Sequence, residues 1–222
     1  MKVILFGSTG MVGQGVLKEC LKDPLVETVL VVNRQTCGVT DPKLKEVIHI
    51  NFFDISSISK DLTGYNTCLF CLGVSSAGMK EVDYHRMTYE LTTKIASVLL
   101  NLNHEMTFCY ISGAGTDSSE EGHTMWARVK GKTENKLLKM PFKSAYMFRP
   151  GFIQPMGGEK SKTKLYNLLL PIFKPLYFFL KYFESIATNT ETLGKAMIIA
   201  ASKGYDKKIL ESRDINSIVK HH

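Results

Sequence analysis

The sequence predicts an α/β protein built on a doubly wound parallel sheet, with helices on both faces and a small helical elaboration at its C-terminal end. Three observations carry this expectation. Short β-rich runs alternate with stretches of helical periodicity along the chain. The runs are nearly continuous in apolar residues, as strands buried on both faces require. A glycine-rich turn, Gly7-Ser8-Thr9-Gly10-Met11-Val12-Gly13, joins the first strand directly to the first helix. Repeated alternation of this kind satisfies its apolar faces by forming a parallel sheet covered on both sides.

Each element follows from its residues. Lys2 to Phe6 is the first strand, and Val12, Val16, Leu17, Cys20 and Leu21 keep helical spacing after it. Thr28 to Val32 reads as a second strand, Val47 to Ile50 as a third, and Thr67 to Leu72, ending at Gly73, as a fourth. The long helix that follows places Met87, Leu91, Ile95, Val98 and Leu102 on one face. Thr107 to Ile111 is the fifth strand, Thr124 to Lys139 a helix, and Ala145 to Phe148 a sixth strand stopped by Arg149-Pro150-Gly151. Leu165 to Phe183 is apolar and aromatic, but Asn167, Pro171, Lys174, Pro175 and Lys181 interrupt it. A membrane span needs about twenty mostly apolar residues in succession. Two short helices over the substrate side of a cleft are therefore expected, with a membrane-surface or protein partner through 165–183 as the alternative. Thr188-Asn189-Thr190-Glu191 reads as a capping-box start to a helix through Ala201.

Composition bounds the rest. A chain of 222 residues supports one domain, 1–222, with the elaboration at 152–222 inside it. Its 28 basic and 21 acidic residues give a net charge of +7, which favours anionic partners. The basic clusters at Arg128, Lys130, Lys132, Lys136, Lys139 and Lys143, and at Lys160, Lys162 and Lys164, accompany no DNA- or RNA-reading motif. They read as solvated surface, and no nucleic acid is expected. Cysteines 20, 37, 68, 71 and 109 are odd in number, and no secretory leader is seen, so a reducing, cytoplasmic setting is expected. Cys68 and Cys71 have metal or redox spacing but lie within an apolar run without a second ligand pair, so no metal is expected.

The glycine turn carries the chemistry. Its first glycine permits a tight turn, its second lets backbone come close to phosphates, and its third lets the helix pack against the strand. The helix N-terminus then presents unpaired N–H groups to a pyrophosphate. In a doubly wound sheet the ligand lies across the carboxyl ends of the strands where their order reverses. Asn33-Arg34, Asn51 to Asp54, Gly73 to Ser76, Ser112 to Thr116 and Pro150 to Phe152 are the segments so placed.

Together with Cys71-Leu72-Gly73, Ser112-Gly113-Ala114-Gly115, Val129-Lys130-Gly131, Glu134 and Phe148-Arg149-Pro150-Gly151, this pattern resembles the atypical short-chain dehydrogenase/reductases. These are NAD(P)-binding Rossmann proteins, and the branch containing the HIV Tat-interacting oxidoreductase is similar. The resemblance covers about residues 1–155, and the remainder loosely. It implies cofactor contacts from Gly7, Ser8, Thr9, Gly10, Met11 and Val12, from Asn33 and Arg34, from Asn51, Phe52 and Asp54, and from Leu72, Gly73 and Val74. It also implies nicotinamide-side contacts from Lys130, Pro150, Gly151 and Phe152.

NAD-binding members place an acidic residue at the end of the second strand, where it binds the free ribose hydroxyl. This chain has Asn33 there, then Arg34, whose guanidinium can grip a 2′-phosphate, so NADP(H) is expected ahead of NAD(H). The resemblance implies catalytic roles for Ser112, orienting a substrate oxygen, and Lys130. The acid/base tyrosine of the family's Tyr-x-x-x-Lys pair falls at Trp126, which cannot exchange a proton near neutral pH. Tyr84, Tyr89, Tyr110 and His123 are the substitute donors. Two functions lead, an oxidoreductase on an unknown small substrate, or a non-catalytic dinucleotide sensor or scaffold that reports redox state to a protein partner, with a sugar-nucleotide epimerase as a weaker third.

Overall fold

A computed structural model describes residues 1–156 and 186–221. Seven parallel strands form the central sheet: β1 (Lys2–Phe6), β2 (Thr28–Asn33), β3 (Leu44–Ile48), β4 (Thr67–Phe70), β5 (Thr107–Ile111), β6 (Ser144–Arg149) and β9 (Ile209–Glu211). Their order is β3-β2-β1-β4-β5-β6-β9, so the winding reverses between β1 and β4. A two-stranded parallel ribbon, β7 (Phe152–Gln154) with β8 (Ala187–Asn189), stands beside it.

Strand alternation divides the apolar residues into two cores. Ile4, Phe6, Leu30, Val32, Cys68, Phe70, Phe108, Tyr110 and Met147 face one side, against Leu62 of α2 (Ser59–Leu62), α4 (Leu91–Leu102) and Leu137 of α5 (Met125–Leu138). Val3, Leu5, Val29, Val31, Leu69, Cys109, Tyr146 and Phe148 face the other, against α1 (Met11–Lys22), α6 (Thr190–Lys203) and α7 (Ser212–Lys220). This is the doubly wound architecture expected from the continuous apolar strands. Cys68 and Cys71, three apart, fall in different cores, which separates the thiols.

Boundaries moved where local chemistry overrode propensity. The third strand runs Leu44–Ile48, so Ile50 leaves the sheet and is 79% exposed. The fourth ends at Phe70, although the Cys71 N–H still donates to the Phe6 carbonyl at 2.9 Å. The long helix comprises α3 (Glu81–His85), a π turn (Arg86–Glu90) and α4, the extra residue per turn shifting which side chains meet the sheet. At the start of α6, Asn189 caps: its Oδ1 accepts from the Thr192 N–H at 2.7 Å. The expected capping box of Thr188 and Glu191 gives way because Thr188 belongs to β8, while the Glu191 carboxylate accepts from Lys195 at 2.6 Å.

The C-terminal residues do more than elaborate a lid. β9 extends the sheet beside β6, and α6 crosses α1 closely: a Cβ on Gly15 would lie 2.5 Å from Thr190 Cβ, and one on Gly194 3.0 Å from Glu19 Cγ. The expected helices within 165–183, and Lys160, Lys162 and Lys164, lie outside the described residues. No described helix is long and apolar enough to cross a membrane.

Candidate functional site

The glycine turn sits at the point where strand order reverses. Gly7 has φ +86°, a conformation side-chain-bearing residues avoid, and a Cβ there would stand 2.7 Å from the carbonyl of Cys71 at the end of β4. A Cβ on Gly13 would lie 2.1 Å from the Gly7 carbonyl oxygen, so the third glycine is what lets α1 start against the turn. Gly10 is different. Its φ of −89° suits any residue, and a Cβ would meet only the Gly7 oxygen, at 3.4 Å; its bareness leaves space on the open side of the turn.

A cleft of about 470 Å³ opens over this turn, lined by Gly7, Thr9 and Gly10, by Arg34, by Ile50 to Phe53, by Cys71 to Ser75, and by Met87 and Leu91. Of the expected cofactor residues it brings together Gly7, Thr9, Gly10, Arg34, Asn51, Phe52, Leu72, Gly73 and Val74. Ser8 and Asn33 lie buried beneath it, bonded to one another at 2.9 Å. Met11 and Val12 form the first turn of α1. Asp54 faces a neighbouring groove and accepts from the Ser56 hydroxyl and N–H, which hold its carboxyl below the usual range. Phe52 serves both core and cleft, its ring meeting that of Phe6 edge-on at 6.0 Å.

Ile50, Phe53, Cys71, Ser75, Met87 and Leu91 were absent from the expected cofactor set. Met87 and Leu91 carried a signal, their place on the apolar face of the long helix, that also fits core packing. Ile50 was assigned to a strand that ends two residues earlier.

Arg34 is exposed at the cleft mouth and has no ion-pair or hydrogen-bond partner among the described residues. Its neighbour Asn33 is engaged at both polar atoms. Asn33 Oδ1 accepts from Ser8 Oγ, and Asn33 Nδ2 donates to Glu46 Oε1 at 3.1 Å. The same carboxylate accepts from the Cys37 N–H at 2.8 Å. Burial pushes the Glu46 carboxyl upward, but these bonds and one from Thr36 outweigh it and hold the group below its ordinary range.

The expected catalytic residues stand apart from the cleft lining, Ser112 just beyond β5 and Lys130 on α5. Ser112 is 4% exposed; its hydroxyl is within reach of Glu134 Oε1 and, at 3.1 Å, the Phe148 carbonyl. A hydroxyl has one proton to give, so orienting a substrate oxygen with it requires breaking these contacts. Glu134 is wholly buried and ion-paired with Arg149, which also reaches Glu211 at 3.4 Å and Ser118 Oγ at 2.5 Å. Lys130 Nζ donates to the Ser112 carbonyl. Burial lowers the Lys130 ammonium to about 8, against the opposing pull of Glu134. The Trp126 ring lies over the Gly113–Gly115 turn, 3.5 Å from where a Cβ on Gly115 would be.

Pro150, Gly151 and Phe152 lead into β7. Gly151 donates to Ser212 Oγ at 2.8 Å, and a Cβ on it would lie 2.2 Å from the Ile186 carbonyl, so this glycine answers a packing need. The substitute proton donors do not line the cleft. Tyr84 and Tyr110 are buried, which raises both phenols. Tyr89 stacks on His85 at 4.8 Å and lies under Lys132 Nζ at 5.1 Å, and His123 is exposed. No group of three or more His, Cys, Asp or Glu converges as a metal site among the described residues.

Solved structures share this fold. Gre2 of Candida albicans in complex with NADPH superposes with a TM-score of 0.71 at 14% identity, covering 95% of this chain and 78% of that one. A short chain dehydrogenase family protein of Francisella tularensis gives 0.65 at 12% identity, covering 95% of both chains. The chain has an atypical short-chain dehydrogenase/reductase fold. Trp126 and Lys130 both stand on α5. No family model matches the chain.

Among curated proteins, the mitochondrial protein fmp52-2 of Aspergillus terreus is 24% identical over 206 residues, 92% of this chain and 88% of the relative. The mitochondrial FMP52-1 of Scheffersomyces stipitis is 23% identical over 229 aligned positions, 99% of each. These names overturn the cytoplasmic expectation. Five free thiols do not name a compartment.

Proposed function

We propose that this short-chain dehydrogenase/reductase-like protein binds NADP(H) and acts as an oxidoreductase on a small carbonyl, alcohol or conjugated substrate. The observation that carries the reading is the cradle at the β1–β4 crossing, where Gly7 and Gly13 leave no room for a Cβ beneath an open cleft. Such a turn meets a pyrophosphate through backbone N–H groups. The unpartnered guanidinium of Arg34 at the mouth supports a 2′-phosphate and hence NADP(H). The solved neighbours named for bound NADPH or NAD support a nicotinamide dinucleotide. The names of the relatives support a mitochondrial setting.

When bound, the dinucleotide would supply a hydride donor or acceptor. This chain's residues would hold it: the turn at the pyrophosphate, Asn51 and Phe52 on the adenine side, Lys130 at the nicotinamide-side ribose, and Pro150-Gly151-Phe152 beyond. Ser112 would orient a substrate oxygen only after giving up its contact with Glu134.

That contact and Trp126 favour a second reading, a dinucleotide sensor without turnover. Fluorescence titration with NADPH and NADH tests the shared claim, and absence of binding to either overturns both readings. NADPH oxidation over a carbonyl panel, lost in Ser112→Ala while binding persists, supports the enzyme. Cofactor-dependent partner binding without turnover supports the sensor.

A further inference from the structure

Beside Arg34 the fold places an acidic residue that arrives from another strand. The end of β2 has no carboxylate of its own, since Asn33 stands there. Glu46 of β3, the neighbouring parallel strand, reaches it from the side, its Oε1 accepting from Asn33 Nδ2 at 3.1 Å and from the Cys37 N–H at 2.8 Å. The Ser8 hydroxyl completes the relay by donating to Asn33 Oδ1 at 2.9 Å. The orientation of the Asn33 amide is thereby fixed: a carboxylate can only accept, so Nδ2 must face Glu46 and Oδ1 must face Ser8. The chain of bonds runs from the glycine turn, under the cleft mouth formed by Asn33, Arg34 and Gln35, to Glu46.

We propose that Glu46 is a specificity-determining residue of the dinucleotide site, its anchored carboxylate opposing the 2′-phosphate that Arg34 attracts. The inference rests on the cofactor reading above. Arg34 and Glu46 then form a balance of two exposed charges, the first without a partner among the described residues and the second held by hydrogen bonds to Asn33 and to the Cys37 N–H on either side of Arg34. Two unit charges several ångströms apart near a protein surface interact by enough to change affinity severalfold. The carboxylate thus limits the preference for NADP(H) over NAD(H) and keeps both within reach of one site.

The test is calorimetric titration of the wild type, Glu46→Gln and Glu46→Asp with NADPH and NADH, repeated with adenosine 2′,5′-bisphosphate and adenosine 5′-monophosphate to isolate the adenosine end. Gln retains an acceptor oxygen for Asn33 and Cys37, so it removes charge while keeping the loop. Its NADPH:NADH affinity ratio should rise about fivefold, and the fragment ratio should follow. Asp retains charge but shortens the brace, so its thermal midpoint should fall while the ratio stays within about twofold of wild type. A ratio unchanged in Glu46→Gln, or shifted equally in both variants, overturns the proposal. Wild-type protein that binds no dinucleotide overturns the functional reading itself, which separates the two failures. Should Glu46→Gln fail to fold, the Asp variant decides: a ratio that moves with its loss of stability makes Glu46 a brace and overturns the specificity role.

Discussion

Arg149, at the end of β6, holds the wholly buried carboxylate of Glu134 on α5, its Nε lying 3.0 Å from Oε1 and 3.1 Å from Oε2. The pair ties the end of β6 to α5, and the same carboxylate lies within reach of the Ser112 hydroxyl. Removing one partner leaves the other charge buried and unpaired. Arg149→Met should therefore lower the free energy of unfolding by about 3–5 kcal/mol. Chemical denaturation checks this, and a loss below about 1 kcal/mol would show that Glu134 is not left as an uncompensated buried charge without Arg149.

Lys130 sets a pH dependence with a definite sign. Folding lowers its ammonium from 10.5 to about 8 through burial, with Glu134 opposing. Between those values the unfolded chain binds more protons, so this residue's contribution to stability rises with pH across the window and is most unfavourable below about 8. Lys130→Met removes the contribution. Urea unfolding from pH 7.5 to 10 should show a wild-type curve gaining on the variant as pH rises, and parallel curves would refute the assignment.

Gly13 and Gly10 should separate folding from binding. Gly13→Ala drives a methyl into the Gly7 backbone at 2.1 Å and should cost about 3 kcal/mol or more. Gly10→Ala meets nothing closer than 3.4 Å and should cost less than about 1 kcal/mol. Its methyl instead occupies the approach of the phosphates, so NADPH affinity should fall about tenfold or more. Equal stability losses in the two variants would remove the distinction.

Arg34→Asp reverses the charge at the cleft mouth. NADPH affinity should fall by about two orders of magnitude and NADH affinity far less, because only the former presents a 2′-phosphate to the guanidinium. Paired titrations read this directly, and equal losses would reject the phosphate role.

The residues of the sequence by themselves determined the doubly wound sheet, because strands covered on both faces must be apolar throughout and helices on those faces must keep a 3.6-residue stripe. Gly7 and Gly13 in strand-turn-helix context determined where the cleft lies, since a backbone approach that excludes a Cβ is written in residue type. Tertiary structure decided what side chains at those positions are free to do. Asn33 looked available to a ribose, and the fold consumes both its polar atoms in a relay to Ser8 and Glu46. Ser112 looked like a substrate ligand, and the fold sets its hydroxyl against a buried carboxylate twenty-two residues away. Hydrogen-bond partners brought together from distant strands leave no periodicity or local spacing, so sequence fixes where a polar group stands while only packing fixes whether its proton is still available.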